Sequence, residues 1–521
     1  MPLAVCAITV LTYFQFPGHT WLQSDTQIYA PILEHGYDPS ILSRDLIVQH
    51  PHVAFTLYDE FAVLMRRATG LGFREILTVE QVVCRALGVW GLYLLAVGFG
   101  LPRAAALFAA AIVSLGATIG GPSVLTIEYE PVPRGFAVPV LVFAMGMAVH
   151  QRFWAASVAG SVAFLLHPPT AYPFWVVFPL VAVTRHAARP LLAFPCAALI
   201  LWIASRGQGG AEQVFFARLD APLEQLQRMR ASYNWISVWA GNWIPHYAAL
   251  WAASVLAVRR LWPDMPPALR AFAIGLPVIG VASLPVSYLT LDVWKWALMP
   301  QFQPMRAVLF VTLMTQLLAC AAGARAAIAR RWWEAIPWFA LAFLIPVNVR
   351  VAQIPELRRV AIIAVLAALA WLAVRFESRA AIAIVALAAF FAVPIIGRVR
   401  NYPALHNASL NELSGWARAT TPKEAVFLFP DSAKDLEAGV FRAGALRAIY
   451  VDWKGGGQVN YSSALATEWW RRWQQAMTKR LTPDEYAAFG VDYVVVKSGR
   501  PIAGREALYR NDRFAVYSTR P

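Results

Sequence analysis

The chain has 521 residues, of which 59% are hydrophobic and only 14% charged, with 21 Trp, 35 Pro and a mean hydropathy of +0.51. A soluble globular domain carries about 25% charged residues, so one water-soluble core, a disordered chain and a fibrous repeat are excluded, and a multi-spanning membrane protein remains. The formal charge of +15 would suggest nucleic acid in a soluble chain. Here the basic residues sit mainly at the ends of apolar runs, where they orient helices, and no nucleic-acid partner is expected.

In chain order, the opening run Leu3–Phe16 lacks a basic start and a small-residue cleavage site before Pro17, so it reads as a short first span rather than a removed signal. It is shorter than a bilayer asks for, which leaves room for a native start upstream. Further apolar runs lie near 79–101, 104–120, 135–149, 153–167, 171–184, 190–204, 246–258, 269–290, 306–323, 334–349, 360–374 and 380–397. With the opening run, this predicts a polytopic α-helical protein of about 11–13 transmembrane helices. Cys6, Cys84, Cys196 and Cys320 fall in or beside these runs without a CxxC pair, and read as small buried hydrophobes.

Arginines collect in alternate connections: Arg103, Arg152, Arg185 with Arg189, Arg259 with Arg260 and Arg270, Arg325 with Arg330 and Arg331, and Arg375 with Arg379. The positive-inside rule assigns these to the cytoplasm, although Arg350, Arg358 and Arg359 break the pattern. Three long polar stretches then fall outside: a first loop at 17–78, a second at 205–245, and 399–521 as an extracytoplasmic domain beyond a membrane domain of 1–398. In the last, Ala425–Pro430, Ala448–Val451 and Tyr493–Lys497 read as strands. Helices are expected at Ser462–Met477 and after Thr482-Pro483, giving a small α/β unit with some parallel pairing.

Chemistry is expected at the outer surface. The first loop opens on Ser24-Asp25-Thr26 and continues with Glu34, Asp38, Asp45, His50 and His52, followed by an amphipathic run Val53–Thr69 along the interface. Asp25, where a span meets water, can stay ionised and take a proton from an acceptor hydroxyl, or it can cap the next helix. Glu128, Glu130 and Arg134 are suited to a phosphate, a sugar hydroxyl or a metal, or form a solvated turn with an internal ion pair. His167, beside Pro168-Pro169, is an ionisable group at membrane depth; it either acts on a substrate or satisfies backbone groups freed by the prolines. Lys295, between Trp294 and Trp296, anchors the interface or meets an anionic headgroup; Arg306, flanked by Gln301 and Gln303, is placed for phosphate. In the tail, Arg447, Asp452, Lys454 and three glycines form a loop without a nucleotide-binding pattern, read as a plain turn or as a loop leaning over the membrane site.

This assembly of a short first span, a long outer loop opening with Ser24-Asp25-Thr26, many further spans and an outer α/β domain resembles the GT-C class of integral-membrane glycosyltransferases. The resemblance implies inverting transfer of a sugar from a polyprenyl-phosphate donor to a glycan, lipid or protein acceptor at a bacterial inner membrane. A first-loop acid would act as general base and basic residues would hold the lipid phosphate. Asp25 matches the acid; Arg306 matches the phosphate-binding role by its place at a helix end. The chain lacks an adjacent Asp-Asp or Glu-Asp pair, so its second acid is Glu34, Asp38 or Asp45, and a divalent metal stays open. The rival readings are a transporter or flippase of a lipid-linked substrate, and a non-catalytic cell-envelope assembly protein. A transporter would show paired halves and ionisable residues near the membrane midplane.

Overall fold

The computed structural model describes residues 1–50, 55–207, 216–239, 241–347, 356–397 and 405–520. His52 and the start of the run from Val53 lie outside the described residues; the amphipathic helix is seen as Tyr58–Thr69. Each apolar run falls on a helix, from Pro2–Phe14 to Arg379–Gly397. Among the described residues, six helical stretches are long and apolar enough to cross a bilayer: Phe73–Gly98, Arg189–Arg206, Pro267–Val293, Met299–Ile328, Leu357–Arg375 and Arg379–Ile396. Shorter apolar helices, including Pro133–Val149, Phe153–Leu166 and Trp332–Val347, fill in between.

The Val308–Ile328 helix runs through the centre, with almost every side chain buried. Its Gln316 donates to the carbonyls of Ile112 (3.1 Å) and Ala342 (3.3 Å), joining three helices by polar contacts that lipid could not replace. Phe73–Gly98 lies against Pro133–Val149 at backbone distance. A Cβ on Gly91 would stand 2.5 Å from the Val142 carbonyl, so this crossing needs a residue without a side chain.

Successive helices alternate in direction. Pro133–Val149 ends three residues before Arg152, which stands at the N-cap of Phe153–Leu166; that helix returns to His167, Pro168–Thr184 ends at Arg185, and Val308–Ile328 starts just after Arg306 and ends beside Arg330. Arg260 pairs with Glu334, and Arg325 with Asp264, at the arginine-rich end. The opposite end carries the polar loops.

The C-terminal region holds a five-stranded sheet. Two short strands occur earlier, β1 (Thr118–Ile119) and β2 (Val124–Leu125), as an antiparallel hairpin. The sheet itself comprises β3 (Val426–Leu428), β4 (Ala448–Ile449), β5 (Tyr493–Lys497), β6 (Tyr509–Arg510) and β7 (Phe514–Ser518) in the order β4-β3-β5-β7-β6. β3 pairs parallel with β4 and β5, as expected from intervening helices; β7 adds antiparallel to β5 and carries β6, a pair the sequence reading did not foresee. Both faces are covered because strand side chains alternate. Val426, Leu428, Val494 and Val496 face Trp469 and Tyr486, whereas Phe427 and Val495 face Leu413 and Phe441. Leu22 and Ala30 of the first loop join the second cluster; Leu46 and Leu226, from the first and second loops, join the first. Both long loops are thereby packed onto the C-terminal region.

Candidate functional site

Where these loops meet the helix ends, the fold encloses a cavity of about 780 Å³. Its walls come from the first loop, the β1–β2 hairpin, residues 128–134, the second loop, the approach to Val308–Ile328, and the tail segment 454–461.

Asp25 stands at the N-cap of the Thr26–Tyr37 helix, yet its side chain makes no cap hydrogen bond. It faces the cavity between two cations. Lys454 Nζ donates to Oδ1 at 2.6 Å, and Arg134 Nη2 lies 2.9 Å from Oδ2. Burial opposes the charge on Asp25, but Lys454 and then Arg134 outweigh it and hold the carboxyl well below the usual carboxylate range. Lys454 also donates to Ser24 Oγ at 2.7 Å.

Arg134, at the start of Pro133–Val149, is fixed by Glu128, whose Oε1 accepts from its Nε at 2.6 Å. Glu128 is held in turn through its carbonyl, which accepts from Arg85 Nη2 at 2.7 Å; the same guanidinium reaches Thr12 and Gly18. Glu130 turns the other way. Its carboxylate accepts the N–H groups of Ser24 and Asp25, both at 2.8 Å, and the Thr26 hydroxyl at 2.5 Å. Burial, with the neighbouring charge of Asp25, pushes the Glu130 carboxyl up, while the Thr26 and Ser24 donors pull it back. The turn with an internal ion pair and the acidic site therefore coincide: Glu128–Arg134 is the pair, and it presents Arg134 to Asp25.

Arg306 enters the cavity from the turn before Val308–Ile328, its guanidinium 5.7 Å from the centre of the Tyr233 ring. It forms no ion pair among the described residues, and its Nε is buried without a hydrogen-bond partner among them. A cavity-lining guanidinium whose buried Nε is left in this state is a ready partner for an anion. Gln303 does not reach the cavity; it is buried in the left-handed region (φ 51°) and donates to the Pro300 carbonyl at 2.8 Å, shaping the turn that delivers Arg306. His167 lines the cavity, and its Nδ1 accepts from the Thr170 N–H at 3.2 Å, so it caps the following helix while its ring faces the site.

The other expected site residues lie elsewhere. Glu34 pairs with Arg66 at 2.8 Å, and Asp38 is exposed in a turn with Ser40. Asp45 is fully buried against Arg442, and His50 closes the Leu46–Gln49 helix. Lys295 pairs with Glu224 of the second loop at 2.5 Å, outside the cavity lining. Among the described residues, no group of three or more His, Cys, Asp or Glu is arranged to hold a metal.

Several wall residues escaped the sequence reading. Tyr29, Tyr129 and Tyr461 surround Asp25 and Arg134; burial pushes the Tyr129 and Tyr461 hydroxyls up to about 12 and raises Tyr29 well above the usual tyrosine value, so all three keep their protons. Arg230 from the second loop donates to the Trp453 carbonyl through Nε (3.1 Å) and Nη2 (2.6 Å) and lies over its ring. Nothing local marks these residues; only Lys454, in a glycine-rich segment after a strand, carried a signal.

The whole path of the chain can be laid on a solved structure, that of ArnT from Cupriavidus metallidurans in the apo state, with 99% of this chain and 96% of that one covered, a TM-score of 0.51 and 13% identity. The fold is ArnT-like. The polytopic α-helical architecture with a small C-terminal α/β region, expected from the sequence, is the fold found. The structure of ArnT from the same organism bound to undecaprenyl phosphate gives a TM-score of 0.49 at 13% identity, covering 99% of this chain and 97% of that chain. Residues 408–476 match a family model described as a domain of unknown function, DUF6798. No curated protein matches the chain.

Proposed function

We propose that this protein is a membrane glycosyltransferase that moves a sugar from a polyprenyl-phosphate donor to an extracytoplasmic acceptor with inversion at the anomeric carbon. The observation that carries the reading is one cavity at the helix ends in which an ionised carboxylate, Asp25, and a half-buried cation without an anionic partner among the described residues, Arg306, share the lining. The ArnT-like fold and the arginine-rich opposite helix ends support it. On this reading residues 1–398 form the membrane domain, 399–521 lie outside, and the arginine-rich ends face the cytoplasm.

The chemistry asks for little. The donor's phosphate leaves already ionised as its bond to the anomeric carbon breaks, and Arg306 stabilises it. The acceptor oxygen forms the new bond and its proton passes to Asp25. A carboxylate held ionised by two cations is a weak base, but a hydroxyl attacking an oxocarbenium-like carbon becomes strongly acidic as the bond forms, so a positioned weak base suffices. Tyr29, Tyr129 and Tyr461, all protonated, can donate hydrogen bonds to sugar or phosphate oxygens. The lipid tail lies among the helices below.

The test is a transfer assay in nanodiscs with a panel of radiolabelled polyprenyl-phosphate sugars, comparing wild type with Asp25→Asn. Transfer or donor hydrolysis by wild type, reduced by about 10²–10⁴-fold in the folded variant, is the expected result. If no donor is bound or consumed and Asp25→Asn still supports growth of a deletion strain, the enzyme reading fails and transport takes its place.

A further inference from the structure

Asp45 was expected at the substrate, yet it lies wholly inside the protein, where it answers a different question: how a lysine more than four hundred residues from Asp25 comes to rest on it. Asp45 Oδ2 accepts from Arg442 Nε at 2.8 Å and from the Ile449 N–H at 2.9 Å, while its Oδ1 caps the Leu46–Gln49 helix through the Ile47 N–H at 3.0 Å. Arg442 Nη2 reaches on to Asp452 Oδ1. All three side chains are at most 2% exposed. The cluster thus joins the first loop, the Glu437–Ala445 helix and the segment after β4.

From Asp452 the path to Lys454 is short and tethered on both sides. Asp452 Oδ1 accepts the Gly455 N–H at 3.3 Å, and its carbonyl accepts Trp469 Nε1 at 2.8 Å. The Trp453 carbonyl is held by Arg230, and the Lys454 carbonyl accepts the Gly457 N–H at 2.8 Å. As a source of stability the cluster is poor. It sets two buried carboxylates against one guanidinium, and Arg442 Nη1 and Asp452 Oδ2 have no hydrogen-bond partner among the described residues. Buried ion pairs of this kind are commonly matched or exceeded in stability by apolar packing, and in some proteins they serve instead to fix a particular geometry.

We infer that Asp45, Arg442 and Asp452 are positioning residues that present the Lys454 ammonium to Asp25, so that the C-terminal region completes the membrane site. The inference rests on the glycosyltransferase reading only for its kinetic arm; the arm that decides it is read without turnover.

The full-length protein is labelled with ¹³C-carboxyl aspartate, and the protonation of Asp25 is followed by infrared difference spectroscopy in nanodiscs, assigned by its loss in Asp25→Asn. Lys454→Met is expected to move that titration up by about 1–3 pH units, the effect of removing one adjacent cation. Asp452→Asn is expected to move it in the same direction, and the double variant no further than Lys454→Met alone. In the transfer assay, Asp452→Asn should lower kcat with KM for the donor unchanged. Should Asp452→Asn fail to fold, Asp45→Asn, which also leaves Arg442 with one carboxylate, replaces it. The inference is overturned if the folded variant lowers the melting temperature but leaves the Asp25 titration where wild type has it, or if Lys454→Met itself does not move it. A wild type that transfers no sugar sinks the enzymatic reading alone, since the titration still decides the positioning.

Discussion

Glu130 Oε2 accepts the backbone N–H of Asp25 at 2.8 Å, so one acid of the cavity holds the main chain of another whose side chain it does not touch. Its other oxygen takes the Ser24 N–H and the Thr26 hydroxyl. Both carboxylate oxygens are therefore acceptors, and Glu130→Gln must turn an amide N–H₂ toward an existing donor. We expect this near-isosteric change to destabilise the protein by about 1–3 kcal/mol, the cost of a buried donor left unmatched. Thermal unfolding in detergent measures it; a melting temperature equal to wild type would contradict the assignment of these bonds.

Asp25 gives a prediction in pH. Its folded-state pKa lies below the ordinary aspartate value of 3.8, so its ion pairs stabilise the fold fully above that value and are lost as pH falls below it. Asp25→Asn has nothing to lose on that limb. Melting temperatures measured downward from pH 5 should fall less steeply for Asp25→Asn than for wild type; parallel curves would show that Lys454 and Arg134 do not grip the carboxylate.

Arg306 should act on the donor rather than on the acceptor. A charge-assisted hydrogen bond is worth about 1.5–3 kcal/mol, so Arg306→Met should weaken donor binding by roughly ten- to a hundredfold. Arg306→Lys should recover part of it, because a point charge replaces a fork. Donor titration with and without the sugar reads this out, and an unchanged affinity would remove Arg306 from the phosphate.

Gly439 tests the seam between the first loop and the C-terminal region. A Cβ there would stand 2.1 Å from Gln27 Oε1, and Gln27 itself donates to the Leu22 carbonyl at 2.8 Å just before Asp25. Gly439→Ala should therefore reduce transfer as well as lower stability by about 1–3 kcal/mol, the usual range for overpacking. Loss of stability with full activity would show that the seam does not govern the site.

The helices were legible because their apolar runs are long and local, and the alternation of arginine-rich ends was legible for the same reason. Asp25, Glu128, Glu130, Arg134, His167 and Arg306 announced themselves as ionisable groups at the ends of apolar runs, and the fold gathers all six around one cavity. Lys295 and Glu34 looked the same in sequence but found partners in Glu224 and Arg66. A charge at an interface says that a partner exists, not which one. The pairing of Lys454 with Asp25 spans 429 positions and leaves no periodic trace in either segment. Strand β7 was missed because Phe514–Ser518, lying beyond the expected helices, gains its place only by pairing with β5.

The segment 408–476, which matches a family model of its own, contains Arg442, Asp452, Lys454 and Tyr461. The stretch that looks separable in sequence therefore supplies a wall of the cavity. Swapping this tail between two proteins of similar architecture would transplant part of the cavity wall, and a chimera would inherit the lining of its cavity from both parents rather than from the apolar helices alone.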